Sequence, residues 1–290
     1  LLPLFIVAPN ALRAGDVEVV VLDVGQGLSA LVRTEKHALL FDAGPQFGPG
    51  ADSGSRIIVP YLRAAGVERL DGFVVSHDDD DHWGGASSVL QAVPADRVLT
   101  SLPDLDPLVV QAQPALRCES GQRWEWDRVR FEVLHPTRDS YQDPAVREND
   151  RGCVLRVEAG GRRVLIPADI ERRAEEALLR REPGLMNADV LLAPHHGSRT
   201  SSIPEFVRAT SPRIVVFSAG YRNRFGHPHR DVVRRYLDSG ARIYRTDRDG
   251  AVIIALRAGG AIGVTPYRAL YRRYWQTPLV GDPVPDPDEF

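Results

Sequence analysis

Cysteine is almost missing from this 290-residue chain, which has only Cys118 and Cys153. Two are too few for a disulfide scaffold, and they do not form the C-x-x-C spacing of a zinc site, so they say nothing about compartment. Lysine is scarcer still: Lys36 stands alone beside 35 arginines. That bias fits a genome's base composition or a need for bidentate phosphate contacts. Charge of one sign is not in excess either. A net charge of -3 excludes a global field that attracts nucleic acid, so any anion-binding surface has to be local. Long apolar runs are missing too. The opening LLPLFIVAP falls well short of the roughly 20 residues that cross a bilayer, and it lacks the basic flank and cleavage site of a signal peptide. With 43% hydrophobic and 26% charged residues, the composition is that of a folded globular protein, which excludes a disordered or fibrous chain.

What is present is an alternation of short β-rich runs, turn signals and amphipathic helices from Val17 onward. VEVVVLDVG, HALLFDAG and LDGFVVSH read as strands, RIIVPYLRAAG as a helix with a glycine after it, and HWGGASSVLQAV as a second helix. The style then repeats. RVRFEVLH, CVLRVEAG, RRVLIPAD, ADVLLAPHH, RIVVFSAG, ARIYRT and AVIIALRA read as strands, with IERRAEEALLRR a charged helix among them. Two strand-rich halves with helices outside predict a layered α/β sandwich. The proline-rich stretch from Leu102 to Trp126 reads as an excursion between the halves. Residues 1–16 read either as an apolar arm or as the stub of a preceding membrane helix, 17–265 as the domain, and 266–290 as a flexible acidic, proline-rich tail.

The strongest chemical signal is SHDDDDHWGG, residues 76–85, which directly follows a buried strand. Acidic runs are usually solvated surface. Here the strand instead delivers His77, Asp79, Asp81 and His82 to one point before a helix begins, which is the pattern of a metal site. His77 and Asp79 project one way and Asp81 and His82 the other, an arrangement that suits two adjacent cations.

These residues resemble the metallo-β-lactamase superfamily signature H-x-H-x-D-H, with Asp79 in the place of its second histidine. DVGQG (23–27), FDAG (41–44), IPAD (166–169), APHHGS (193–198), SAGYRNRFGHPH (218–229) and YRTDRDG (244–250) follow in order. Together they resemble the hydrolase domain of the ComEC competence proteins, which move transforming DNA across a membrane. The resemblance spans roughly Val17 to Ile254. It implies an αββα sandwich holding two divalent cations.

By the same resemblance Asp169 bridges the ions, a role that needs two oxygens on one carbon; its alternative is an N-cap for the helix that follows. His195 is the expected ligand and His196 its neighbour or a substrate contact, with Ser198 beside them. His135 falls where the superfamily supplies another histidine. Asp79 makes the set richer in oxygen, which favours Mn²⁺, with Zn²⁺ or Mg²⁺ as alternatives. Asp42 is expected to support a ligand imidazole, Asp23 to fix a turn near the site, and Asn149 to reach substrate. Arg222 and Arg224 would clamp a phosphodiester while His227 orients an oxygen or protonates the leaving group. Asp81 and His227 are thus the expected catalytic groups.

The implied activity is a metal-dependent nuclease that hydrolyses DNA, degrading the strand that is not transported. Its partners would be DNA, the membrane channel part of the parent protein, and other competence proteins. Its place would be the extracytoplasmic side of the inner membrane. Two other readings remain: a hydrolase of a non-nucleic-acid ester on the same fold, and a non-catalytic single-strand guide that uses arginines and exposed aromatics such as Trp83.

Overall fold

In a computed structural model of the protein, the structure describes residues 11–104, 106–112 and 114–271. Two sheets lie face to face. The first has eight strands in the order Ile262–Pro266, Val252–Leu256, Val17–Val21, Ala30–Arg33, Ala38–Phe41, Gly72–Val75, Val98–Thr100 and Ala115–Arg117. It is antiparallel through Ala38–Phe41 and parallel from there to its far edge. The second has seven, in the order Arg242–Arg245, Ile214–Phe217, Val190–Leu192, Arg162–Ile166, Val154–Ala159, Val129–His135 and Arg123–Trp126. Its first four strands run parallel and the remaining pairs are antiparallel.

The period-2 alternation of each strand sorts side chains between two faces. Val17, Val19 and Val21 join Phe131, Val133, Leu155, Val157, Val164 and Val190 in the core between the sheets. Val20, Leu31, Leu40 and Phe73 point the other way, onto the helices Val59–Ala64, Ala86–Ala92 and Pro107–Gln111. On the second sheet's outer face, Leu165, Leu191, Val215 and Phe217 pack under the helices Arg172–Arg181, Pro204–Thr210 and Arg230–Asp238. The expected αββα sandwich is therefore the observed architecture.

Some sequence boundaries are corrected. The stretch 102–126 is no excursion, because Ala115–Arg117 and Arg123–Trp126 supply one edge strand to each sheet. Trp83 is not an exposed aromatic but packs half-buried against the core behind the first sheet. Pro266 ends a strand and Tyr267–Leu270 is a helical turn, so order continues past 265. The cause is Arg268, whose guanidinium reaches the carbonyls of Asp247 and Arg248 and the carboxylate of Asp23. The remaining tail, 272–290, lies outside the described residues, as do residues 1–10 of the expected stub. Asp16, near the end of that stub, accepts from Ala258 N–H and the Arg257 guanidinium and so docks on the domain. No helix among the described residues is long and apolar enough to cross a membrane.

Cys118 and Cys153 form a disulfide. Cys118 follows the outermost strand of the first sheet and Cys153 precedes a strand of the second, so the bond ties the two layers together. Cys153 N–H also donates to Ser76 O, next to the metal-site motif.

Candidate metal centre

Four of the parallel-paired strands, two from each sheet, deliver polar residues past their carboxyl ends to one edge of the sandwich. Asp42 follows Phe41, Ser76 and His77 follow Val75, His195 and His196 follow Leu192, and Asp169 comes three residues after Ile166. Ligand sites in α/β sheets form at such strand ends.

Asp42 anchors the first half of the site. It is fully buried, at φ 58°, a backbone conformation that Asp tolerates better than most residues. Its Oδ1 accepts Ser76 N–H at 2.7 Å, and its Oδ2 accepts Ser76 Oγ–H and His82 Nδ1–H, each at 2.7 Å. Ser76 Oγ accepts in turn from His77 Nδ1–H at 2.8 Å. One carboxylate, directly and through one hydroxyl, therefore sets the tautomer of both imidazoles, leaving each Nε2 as the free ligand atom.

His77 Nε2 is buried without a hydrogen bond. Asp79 Oδ2 lies 3.3 Å away, on a side chain that is 41% exposed. His82 Nε2 faces Asp169 Oδ1 at 3.0 Å and His196 Nε2 at 3.2 Å. Asp169 Oδ2 lies 3.3 Å from His196 Nε2 and 3.6 Å from His195 Nε2. His196 Nε2 is also 3.3 Å from Asp81 Oδ2. Two triads result, His77–His82–Asp169 and Asp81–His82–His196, each with its donor atoms within 4.8 Å of one another. The two oxygens of Asp169 face different partners, as a carboxylate joining two cations requires. An unbonded buried imidazole nitrogen and a convergent set of imidazoles and carboxylates fit divalent metal ions.

Electrostatics agree with that fit. Burial alone would raise the Asp169 carboxyl, but His196 and His82 hold it well below its usual range. Burial likewise pushes Asp81 up, and the His196 hydrogen bond and the charge of His82 bring it below the ordinary carboxylate range. Burial lowers His82 and His196, yet Asp169 with Asp42 raises the first, and Asp169 with Asp81 raises the second to about 9. The carboxylates thus draw positive charge to the imidazoles, and cations taking that place would displace the Nε2 protons.

Asp81 is placed by a close approach. Leu28 N–H donates to Asp81 O at 3.1 Å, and a Cβ on Gly27, at φ 131°, would stand 2.2 Å from that oxygen. The glycine of DVGQG is therefore what lets its loop lie against the acidic turn.

Several sequence expectations are corrected. His196, expected outside the ligand set, is buried within a triad, and His195 stands at its rim. Consecutive left-handed residues, φ 48° and 53°, turn both imidazoles toward Asp169 where an extended chain would have pointed them apart. Glu171 Oε1 and Thr200 Oγ1 hold His195 Nδ1 at 3.4 and 3.2 Å. Asp169 caps no helix: Asp150 Oδ1 accepts from Glu171 N–H and Ala174 N–H instead, a cap from a distant turn that no local spacing could show. His135 is not in either triad, since its Nε2 donates to Asp150 O at 2.7 Å and so steadies that turn. Asp23, by contrast, sits in the turn it was expected to fix, with Gly25 N–H against its carboxylate, and pairs in addition with Arg268. Ser198 Oγ bonds Thr200 Oγ1 within the histidine turn, and the half-buried Asn149 side chain makes no hydrogen bond to the cluster among the described residues.

His227 stands beside the centre, its ring 5.7 Å from that of His195 and 6.4 Å from that of His196. Burial, then the charges on His196 and His195, push it down to about 4. A neutral ring suits orienting an oxygen through N–H and does not suit protonating a leaving group. Arg222 and Arg224 are exposed on the same loop.

A sandwich of this topology, with histidines and aspartates gathered at its strand ends, defines a class of metal-binding proteins. Residues 22–221 match the metallo-beta-lactamase superfamily, and the chain belongs to it. Among curated proteins it is 40% identical over 269 residues to the competence protein ComA of Neisseria gonorrhoeae, covering 92% of this chain and 36% of that one. It is 29% identical to ComE operon protein 3 of Bacillus subtilis, covering 81% and 32% of the two chains. The chain thus spans about a third of the length of these relatives. Among solved structures it resembles the metallo-beta-lactamase fold protein YhfI of Bacillus subtilis at TM-score 0.51 and 14% identity, covering 86% of this chain and 99% of that one.

Proposed function

We propose that this chain is a metal-dependent phosphodiesterase that hydrolyses DNA during DNA uptake, degrading the strand that is not transported. The observation that carries a hydrolytic centre is Asp169, whose two oxygens face His82 on one side and His195 and His196 on the other. The competence proteins among its relatives support DNA as substrate. When bound, two divalent cations supply Lewis acidity toward a phosphate and an activated water. The chain's own residues do the rest. Asp42 and Ser76 hold the imidazoles of His82 and His77 with Nε2 inward, and Asp81 and Asp169 supply the negative charge that retains cations. His227 presents a neutral ring beside that cluster, positioned to orient a nonbridging oxygen. Asp79 near His77 adds an oxygen donor that favours Mn²⁺ over Zn²⁺, and the three imidazoles of the triads disfavour Mg²⁺.

We place the domain on the extracytoplasmic side of the inner membrane, attached to the channel part of a longer parent protein and working beside other competence proteins. The Cys118–Cys153 disulfide supports an oxidising compartment. Cleavage of end-labelled single- and double-stranded DNA by the purified chain, with Mn²⁺, Zn²⁺ or Mg²⁺ added separately, tests the reading. Metal-dependent cleavage, fastest with Mn²⁺, is expected. Failure on both DNA forms with every metal overturns it.

A further inference from the structure

The loop 220–229 departs from the rest of the surface. Its base is tightly anchored. Ser218 Oγ donates to Gly27 O at 2.5 Å, Gly220 N–H to Gln26 Oε1 at 3.2 Å, and His229 N–H to Gly197 O at 2.9 Å. Gly220 lies so near Gln26 that a Cβ there would stand 2.6 Å from its nitrogen. Inside the loop, Asn223 accepts N–H bonds from Phe225 and His227 at 3.2 and 3.0 Å and donates to the carbonyls of Gly220 and His227 at 3.0 and 2.5 Å. A scaffold this bonded would ordinarily bury its apolar side chains. Here it displays them: Tyr221 is 71% exposed and Phe225 53%.

Each ring carries a guanidinium. Arg222 lies over Tyr221 at 5.3 Å and Arg224 over Phe225 at 4.8 Å. Neither arginine pairs with a carboxylate among the described residues. The Phe225 ring stacks on His227 at 5.7 Å and 22°, and His227 in turn adjoins His195 at 5.7 Å. A continuous series of rings therefore leads from exposed surface to the metal cluster, with unpaired positive charge alongside.

We propose that Tyr221 and Phe225 form a stacking platform for unpaired nucleobases, with Arg222 and Arg224 holding the adjoining phosphates, so that a single strand is fed into the centre beside His227. This rests on the nuclease reading and narrows its substrate to a strand whose bases are free. Flat faces with interleaved cations suit single strands, because every base offers a π-face and every linkage a charge. A paired duplex keeps its bases stacked on each other and cannot use the rings.

The test compares two phosphorothioate strands of equal length and charge, one of thymidines and one abasic, binding to the Mn²⁺-loaded chain by fluorescence anisotropy. About tenfold tighter binding of the thymidine strand is expected. Tyr221→Ala with Phe225→Ala should bring that ratio near one, and Phe225→Trp should preserve it. Both positions are exposed, and an unchanged circular dichroism spectrum excludes misfolding. Equal binding of the two strands by the unaltered chain, no binding of either, or a ratio that survives the double alanine change overturns the platform. A base-dependent ratio in a chain that cleaves no DNA under any metal leaves the platform standing and removes the nuclease reading instead.

Discussion

Asp42 holds both His82, at 2.7 Å, and, through the Ser76 hydroxyl, His77. Replacing Asp42 by Asn keeps an acceptor for Ser76 N–H and tolerates the positive φ. Its amide N–H₂ would face His82 Nδ1, however, and drive the proton to Nε2, the atom needed for metal. Metal affinity is expected to fall 10- to 100-fold, on the order seen when such support is removed. Titration with Mn²⁺, followed by spin resonance of the free ion, measures it; an unchanged affinity removes Asp42 from the site.

The two adjacent histidines are expected to differ. His196 is buried in a triad and His195 lies at the rim, its side chain 21% exposed. His196→Ala should therefore lose bound metal and cleavage together, and His195→Ala should retain metal and lose roughly tenfold less rate. Metal content beside single-turnover rates decides this, and the reverse order would restore the expectation made from sequence.

His135 gives the fold a pH dependence. Burial, partly offset by its bond to Asp150 O and reinforced by Arg181, pushes it down to about 4 from the ordinary 6.5. Between those values the unfolded chain binds a proton that the folded chain refuses, so stability is full above about 6.5 and falls as pH drops toward 4. The loss attributable to this group is about 3 kcal/mol. His135→Gln keeps a donor to Asp150 without titrating. Denaturant unfolding of both proteins at pH 4 to 7 should show their difference changing by that amount; parallel curves would mean that His135 does not titrate there.

Reduction of Cys118–Cys153 opens a loop with a sequence separation of 35. On chain-entropy grounds this costs about 3 to 4 kcal/mol. Thermal unfolding with and without a reductant is expected to show a clear downward shift, and a shift under 2 °C would place the stabilisation elsewhere.

Much of the fold was legible because strand alternation and helix amphipathicity are local. VEVVVLDVG and LDGFVVSH announce strands from their β-rich composition alone, and HDDDDH announces a metal site. What stayed hidden depended on contacts across the chain. Asp150 caps a helix that starts more than 20 residues later, and the cysteine pair joins two layers. The orientation of His195 and His196 depends on two left-handed residues with no glycine to signal them. Gly27 was readable only as part of a motif, because its reason is the carbonyl of Asp81. The edge strands Ala115–Arg117 and Arg123–Trp126 were obscured by the prolines around them.

Asp169→Asn tests most directly whether two cations share one carboxylate. The change removes one charge and one good oxygen donor where His82, His195 and His196 converge, and it disturbs no helix cap. With one negative charge fewer beside them, two cations would repel with less compensation. Metal stoichiometry by mass spectrometry, read beside cleavage rate and thermal unfolding, is the measurement. Two Mn²⁺ ions per unaltered chain are expected, against one or none in the variant, with cleavage nearly abolished and the fold retained. A variant that keeps two ions and most of its cleavage would contradict a centre built on Asp169.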